Sequence, residues 1–477
     1  MQETRVSDMK KNENTKKILF LGLSIVIAAA IAVLPAETES MTRAAWQYLG
    51  LFIGMLGVII SGAMPDWAAG LVVCAFLVIF KIDSFANVFK QFSGTSVWML
   101  IAIYAMCTGL NNSGFLKRLA LNMLKVFPKS YKGQAAAFTV ISAILSPLIP
   151  STTAKVGIMT PLACEVGEQA GLKKHSKAII GLWGIALVAG FYLSTAFISG
   201  SAQCAIMASM MGDDAPTTWG TWFSATWPYF VVGIVGMFLF CIIFCAPKKG
   251  EYSDIPADFY TKKIEELGPM SAKEKKGAII LAIAVVLWLT EPIHGIAAIN
   301  VALLADVAML VCGLFTRQEF SAKGNWHMVV FVATLMGFSG YMSTTGVGNM
   351  IAGLIGPVVS PIISNAWLFV PCLVIIVVLL RYFVVSQLCT CAIMLAIFGS
   401  LGVTYGLSAF IIIFITHQVG GSWNTSYNNP VAMGLIAIVG EDNISYRDAR
   451  IISYAYCVLC LIAFTLSVPV WQSLGMI

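Results

Sequence analysis

The stretch LSPLIPSTTAKVGIMTP, Leu145 to Pro161, decides how the rest of the chain is read. It is apolar, and it is broken at its middle. Pro147 and Pro150 interrupt a helix, and Ser151, Thr152 and Thr153 follow at once. A proline removes a backbone donor and leaves a carbonyl without its partner, and hydroxyls suit such places. Inside a bilayer, broken backbone survives only where protein buries it or where it lines a polar cavity. The stretch therefore reads as the tip of a re-entrant hairpin and as half of a binding site.

Composition supplies the bilayer. Of the 477 residues, 58% are hydrophobic and 11% are charged. The mean hydropathy is +0.85, whereas soluble domains carry about 25% charged residues. Many separate runs approach the roughly 20 apolar residues that span a membrane. The chain reads as an all-α polytopic membrane protein with about eleven transmembrane helices plus two re-entrant hairpins. The net charge of +6 is no nucleic-acid signature, because the Lys and Arg residues sit in short loops, as the positive-inside rule requires. The twelve cysteines lie mostly in apolar runs and read as buried free thiols. There is no GxxxxGK[ST] phosphate loop and no HExxH, and His175, His294, His327 and His417 are dispersed. The composition and motifs point away from an enzyme, and no cofactor is expected. His417 reads as an ordinary buried histidine.

Charge flanks orient the segments. Lys10, Lys11, Lys16 and Lys17 precede the first span and place the N-terminus in the cytoplasm, so that an odd number of spans leaves the C-terminus outside. Gly212, Asp213 and Asp214 read as an outer loop, and Pro247 to Lys276 as the longest cytoplasmic loop. Phe115 to Phe127 has helical apolar spacing opposite Lys117, Arg118 and Lys125, the pattern of an interfacial helix. The central segment, Gly133 to Gly171, has Lys129 and Lys132 before it and Lys173, Lys174 and Lys177 after it. Both its ends belong inside. Each half is about 15 residues, or roughly 22 Å of helix, short of the roughly 30 Å apolar core. Leu368 to Leu401 is likewise apolar and is interrupted around Arg381 to Thr390. Its flanks, Pro357 to Asn365 and Gly402 to Leu407, carry no Lys or Arg, so both ends belong outside.

The order of elements occurs twice. Phe92-Ser93 followed by Trp98 recurs as Phe320-Ser321 followed by Trp326, and Asn112-Ser113-Gly114 as Thr344-Thr345-Gly346. A hairpin and a broken span follow each time, broken at Ile198 to Cys204 and at Gly420 to Pro430. Two repeats of opposite topology, each with an interrupted segment, mark a secondary transporter with its site at the midplane.

The candidate substrate-binding residues are those of the two tips and the two breaks: Ser151, Thr152 and Thr153; Gly200, Ser201 and Ala202; Ser386, Gln387 and Leu388; Asn428, Asn429 and Pro430. Helix N-termini at the tips suit a carboxylate. Loose carbonyls with hydroxyls suit Na⁺, whose candidate place is near Ser151, Thr153 and Ser386. Lys155 and Arg381 are membrane-embedded charges and therefore functional candidates. Each is a charge partner for an anion; Lys155 could equally stand in for a coupling cation or snorkel to the cytoplasm, and Arg381 could pair with a loop carbonyl.

Pro150-Ser151-Thr152-Thr153-Ala154, with Pro161 further on, resembles the Ser-Asn-Thr hairpin signature of the divalent anion:sodium symporter family. SPLIPSTTAK is similar to the citrate/dicarboxylate antiporter branch, and Lys155 falls where that branch has Arg. The resemblance implies an elevator-type homodimer, in which a scaffold holds a moving transport domain. On that division residues 1–132 form scaffold spans with the interfacial helix, and 133–246 the first hairpin and transport spans. Residues 247–276 form a cytoplasmic loop, 277–356 further scaffold, and 357–477 the second hairpin and transport spans. Thr152 departs from the signature Asn, and at the second tip only Ser386 is retained. The expectation is a carrier of a small di- or tricarboxylate such as succinate, malate, tartrate or citrate, working by exchange in a bacterial inner membrane. Sodium-coupled symport, or transport of an inorganic anion such as sulfate, is the alternative, and a channel is a further class.

Overall fold

The computed structural model describes residues 19–38, 41–61, 64–211, 215–216, 218–339 and 341–477. The basic N-terminal stretch and the acidic loop at Gly212 to Asp214 lie outside the described residues. Helices of eight residues or more are numbered in chain order. After α1 (Leu19–Val33) come α2 (Arg43–Ser61), α3 (Asp66–Ile79), α4 (Thr95–Ser113) and α5 (Phe115–Lys125). The first hairpin is α6 (Tyr131–Leu148) with α7 (Thr152–Gln169), followed by α8 (Lys177–Tyr192), α9 (Ala202–Met211) and α10 (Trp219–Phe244). Beyond α11 (Phe259–Glu266) the series recurs as α12 (Ala272–Leu289), α13 (Ala298–Val311), α14 (Trp326–Ser339) and α15 (Val347–Ile363). The second hairpin is α16 (Ala366–Leu380) with α17 (Gln387–Thr404), followed by α18 (Ala409–Gly420), α19 (Pro430–Val439) and α20 (Tyr446–Ser473).

Packing repeats with the sequence. Helix α3 packs on α14, and α4 packs on α13; α2 lies against α3 as α12 lies against α13. Helices α6 and α7 both pack on α8, and α16 and α17 both pack on α18. Helices α10 and α20, the last of each series, pack on each other. This pairing is what two interlocked copies of one unit produce.

The two hairpins come from opposite faces. Both ends of the first meet the segment after α10: Tyr252 Oη donates to Lys129 O (2.9 Å), the Ser253 N–H donates to Ala170 O (2.9 Å), and Lys263 pairs with Glu165. The start of α20 lies on that same face, where Asp448 meets His175 (2.7 Å) and Asn443 donates to Glu168 (2.9 Å). Helix α20 then runs 28 residues, about 42 Å. At its far end Met476 O accepts from the Ser408 N–H, just past the second hairpin (2.7 Å). Phe369 and Phe398, on the two arms, pack ring to ring. The arms of the first hairpin are 18 residues each, longer than the sequence halves implied, because each continues a turn past its apolar run into a polar end capped by Ser130 or closed at Gly171.

Hydrophobicity is distributed as in a membrane protein. Every residue from Phe410 to Gly420 in α18 is buried, as is nearly all of α8. Helix α10 is equally apolar but exposes Val231, Val235, Leu239 and Ile243. An apolar surface of this kind faces lipid rather than water. Among the described residues, four unbroken helical stretches are long and apolar enough to cross alone: Arg43–Ser61, Lys177–Ala196, Trp219–Phe244 and Tyr446–Ser473. Lipid offers no hydrophobic drive between helices, so close approach at small residues matters. Gly184 against Ile452 and Gly233 against Tyr192 are such contacts.

Helix α4 ends at Gly114, whose φ of +77° turns the chain by 68° into α5. Helix α5 buries Leu116, Ala120, Leu121 and Leu124 and keeps its lysines outward, as its spacing implies. Gly346, at φ +82°, makes the equivalent step into α15. That helix is missing from the sequence reading. It carries Pro357 and Pro361 and no charge, so it lacks the polar face that identified α5.

Candidate functional site

Four helix N-termini converge on one cavity of about 1160 Å³. They are the starts of α7 and α17 at the hairpin tips and of α9 and α19 after the broken spans. Each is capped locally. Ser151 Oγ accepts from the Ala154 N–H (3.2 Å), Ser201 Oγ from Gln203 (3.2 Å), and Ser386 Oγ from Cys389 (3.3 Å). Asn429 Oδ1 accepts from Val431 and Ala432 (3.1 and 3.2 Å). A cap satisfies only part of the first turn, and the remaining N–H groups and the helix dipole favour an anion. Thr152 Oγ1 donates to Ser201 Oγ at 2.9 Å and so joins the first tip to the first break.

Eleven of the twelve residues singled out in the tips and breaks line the cavity; Gly200 does not. Gly200 sits behind the wall, where a methyl group would overlap the carbonyl oxygens of Ser194 and Ser146. Its own carbonyl oxygen accepts from Lys155 Nζ at 3.0 Å, and Ser146 O lies 3.5 Å from the same ammonium. Lys155 is 2% exposed, so it does not snorkel. It fills a cage of loosened carbonyls between the hairpin and the break.

Arg381 does the same in the second repeat. It is fully buried. Its Nη1 donates to Val384 O (2.8 Å) and Val385 O (2.5 Å), and its Nη2 to Asn428 O (2.6 Å). Gly200 and Asn428 each stand two residues before a helix start, so the two cations hold equivalent carbonyls. Neither cation is among the residues lining the cavity, so each acts through backbone rather than by touching a ligand there.

Sequence reasoning missed the ties between the half-sites. His417 is not an isolated buried histidine. Its Nε2 lies 2.8 Å from Gln203 Oε1, and its carbonyl oxygen accepts from Gln387 Nε2 at 2.6 Å. Gln203 and Gln387 both line the cavity. Asp66, at the start of α3, also lines it and accepts from Ser386 Oγ (3.4 Å). A lone acid following Pro65 in an apolar run was the signal available. Of the charged residues in the wall, Lys323 is the other; it holds Asn112 (3.3 Å) and Glu319 (3.1 Å) at the mouth. The Thr316 backbone N–H and then Lys323 keep the Glu319 carboxyl low, at about 2. With Asn111, Asn112 and Asn325 also in the wall, the cavity opens toward the face where the first hairpin has both its ends. Asp306 lies in α13, which packs on α4, and its Oδ1 is buried without a partner among the described residues.

Known proteins agree with this architecture. The chain is 24% identical over 412 residues to "Dicarboxylate transporter 1, chloroplastic" of Spinacia oleracea, covering 83% of this chain and 72% of that one. It is 23% identical over 397 residues to the "L-tartrate/succinate antiporter" of Escherichia coli (strain UTI89 / UPEC), covering 76% and 79%. The crystal structure of the Alcanivorax borkumensis YdaH transporter is similar in fold, with a TM-score of 0.57, 14% identity, and 97% and 98% of the two chains covered. Residues 15–477 match the family described as the sodium:sulfate symporter transmembrane region. The resemblance to divalent anion:sodium symporters is thus borne out: the chain belongs to the sodium:sulfate symporter family, an integral membrane protein of a family of transporters and not of enzymes.

Proposed function

We propose that this chain is a secondary active exchanger of small di- or tricarboxylates, succinate, malate, tartrate and citrate being the size class. The observation that carries the reading is the convergence of four helix N-termini on one cavity. Aligned peptide dipoles favour anions at such ends, and a dicarboxylate offers one charge to each pair of ends. The names of the two relatives above support the same substrate class.

Exchange rather than sodium symport is favoured by Lys155. Its ammonium occupies the carbonyl cage at Ser146 and Gly200, the kind of loosened backbone that coordinates Na⁺ in carriers of inverted-repeat design. Arg381 fills the counterpart cage. With fixed charge in both, the carrier needs bound substrate, not a bound ion, to offset that charge when it reorients. The sodium-coupled reading has the family's description in its favour. Its ion would sit near Ser151, Thr153 and Ser386.

The working cycle is alternating access by an elevator, with residues 133–246 and 357–477 moving against a scaffold of 1–132 and 277–356, in a homodimer. Lys129, Lys132, Lys173, Lys174, Lys248 and Lys249 gather at the face where the first hairpin ends. Their charge supports placing that face, and the N-terminus, in the cytoplasm of a bacterial inner membrane. Proteoliposomes loaded with unlabelled dicarboxylate test the reading. Uptake of labelled dicarboxylate that requires the internal pool supports it; no uptake of any carboxylate, with sulfate moving instead, overturns it.

A further inference from the structure

The two half-sites differ in what they offer a ligand. In the first, Ser151 and Thr153 share a hydroxyl–hydroxyl bond (3.2 Å), which leaves one O–H, with the free N–H groups of α7, as donors. Gln203 adds to them, because its amide oxygen faces His417 Nε2 (2.8 Å) and its amide nitrogen remains for the cavity. All of these suit a carboxylate.

The second half-site offers acceptors as well. The amide of Gln387 is oriented by a backbone carbonyl, His417 O at 2.6 Å, which can only accept. The second N–H of that nitrogen faces His417 Nδ1 (3.4 Å), so the nitrogen is committed and the oxygen is what the side chain presents elsewhere. Asn428 lines the same cavity, is 5% exposed, and has no partner for either Nδ2 or Oδ1 among the described residues. Arg381 grips the Asn428 carbonyl at 2.6 Å and so fixes the backbone from which this amide projects. Leu388, also in the wall, brings no polar side-chain atom. A buried amide without partners is unfavourable, and a ligand that supplies them is favoured.

The substrate carboxylate of this half belongs on the free N–H groups of α17 and α19, and one placed instead on the amide oxygens of Gln387 and Asn428 would set oxygen against oxygen. A hydroxyl does not. It donates to an amide oxygen and accepts from Asn428 Nδ2. We infer that Gln387 and Asn428 recognise a hydroxyl on the substrate, so that the cargo is a hydroxy-dicarboxylate in preference to its deoxy analogue. The inference rests on the carboxylate-exchange reading and sharpens it.

The test is counterflow by the full chain in proteoliposomes, with labelled L-malate as tracer and unlabelled L-malate or succinate as competitor. A site built to bond a hydroxyl rejects the analogue lacking it strongly, so wild type should need about tenfold or more succinate than malate for equal inhibition. Gln387→Met and, separately, Asn428→Ser should bring the two competitors to within about twofold, with malate losing more than succinate. A role in packing alone would weaken both competitors by the same factor in either variant. That result, or a wild type that treats the two alike, would overturn the inference while leaving carboxylate exchange standing. If wild type moves neither, the exchange reading falls and this inference falls with it.

Discussion

The ammonium of Lys155 lies 3.0 Å from the carbonyl oxygen of Gly200, bridging the second arm of the first hairpin to the break in the following span. On the exchange reading this buried charge takes the place of a bound cation. Lys155→Met keeps the length and removes the charge. It leaves Gly200 O and Ser146 O without a donor, which costs about 1–3 kcal/mol per buried group. Exchange should fall by about tenfold or more, as read from initial counterflow rates. Rates near wild type would show the ammonium to be dispensable.

Gly200→Ala tests the same junction from the other side. Its methyl would overlap Ser194 O and Ser146 O. Both are backbone atoms and cannot rotate aside, so the cost should be about 1–3 kcal/mol or more. The variant should unfold at a lower temperature in detergent and exchange slowly. Gly157→Ala, which meets nothing within 4 Å, is the control and should keep the wild-type melting temperature.

Arg381→Lys should not be conservative. The guanidinium reaches three carbonyl oxygens in two directions, at Val384, Val385 and Asn428. A single ammonium cannot reproduce that fork. Substrate KM should rise, because Asn428 loses its anchor, and sodium should not restore it. A KM equal to wild type would place Arg381 outside the binding machinery.

Away from the cavity, Arg118 of α5 donates to Glu274 in the first turn of α12 at 2.7 Å, with both side chains largely buried. The bond from Arg118, against burial and with help from the Ser271 N–H, holds the Glu274 carboxyl below the usual range. A depressed carboxylate stabilises the fold above its unfolded pKa of about 4.3, and that stabilisation is lost as pH falls through the lower folded value. Melting temperature should therefore drop more steeply below about pH 4.3 in wild type than in Glu274→Gln. Arg118→Ala strands a buried carboxylate and should cost about 3 kcal/mol at neutral pH. Parallel pH profiles for wild type and Glu274→Gln would contradict this.

The breaks were legible because prolines and glycines write them directly. Pro150 and Gly200 locate the first tip and break, whereas α6 runs through Pro147 to Leu148, and Asn429-Pro430 locates the start of α19. The repeat was legible from order and flanking charge. A loop carbonyl is among the partners expected for Arg381 and is what it holds, but which carbonyls it and Lys155 meet was not legible, since a backbone carbonyl carries no residue-type signal. Nor was the bridge from Gln203 to His417, which joins distant parts of the chain. Helix α15 escaped because its companion α5 was found by charge, and α15 has none.

The central claim is that fixed cations occupy the carbonyl cages, so that exchange needs no sodium. The most direct measurement is the initial rate of dicarboxylate counterflow by wild-type protein as external and internal Na⁺ are replaced by choline. The account expects a rate that is unchanged by Na⁺ and that vanishes without internal substrate. A rate that rises with Na⁺ and persists in liposomes lacking internal dicarboxylate would contradict it.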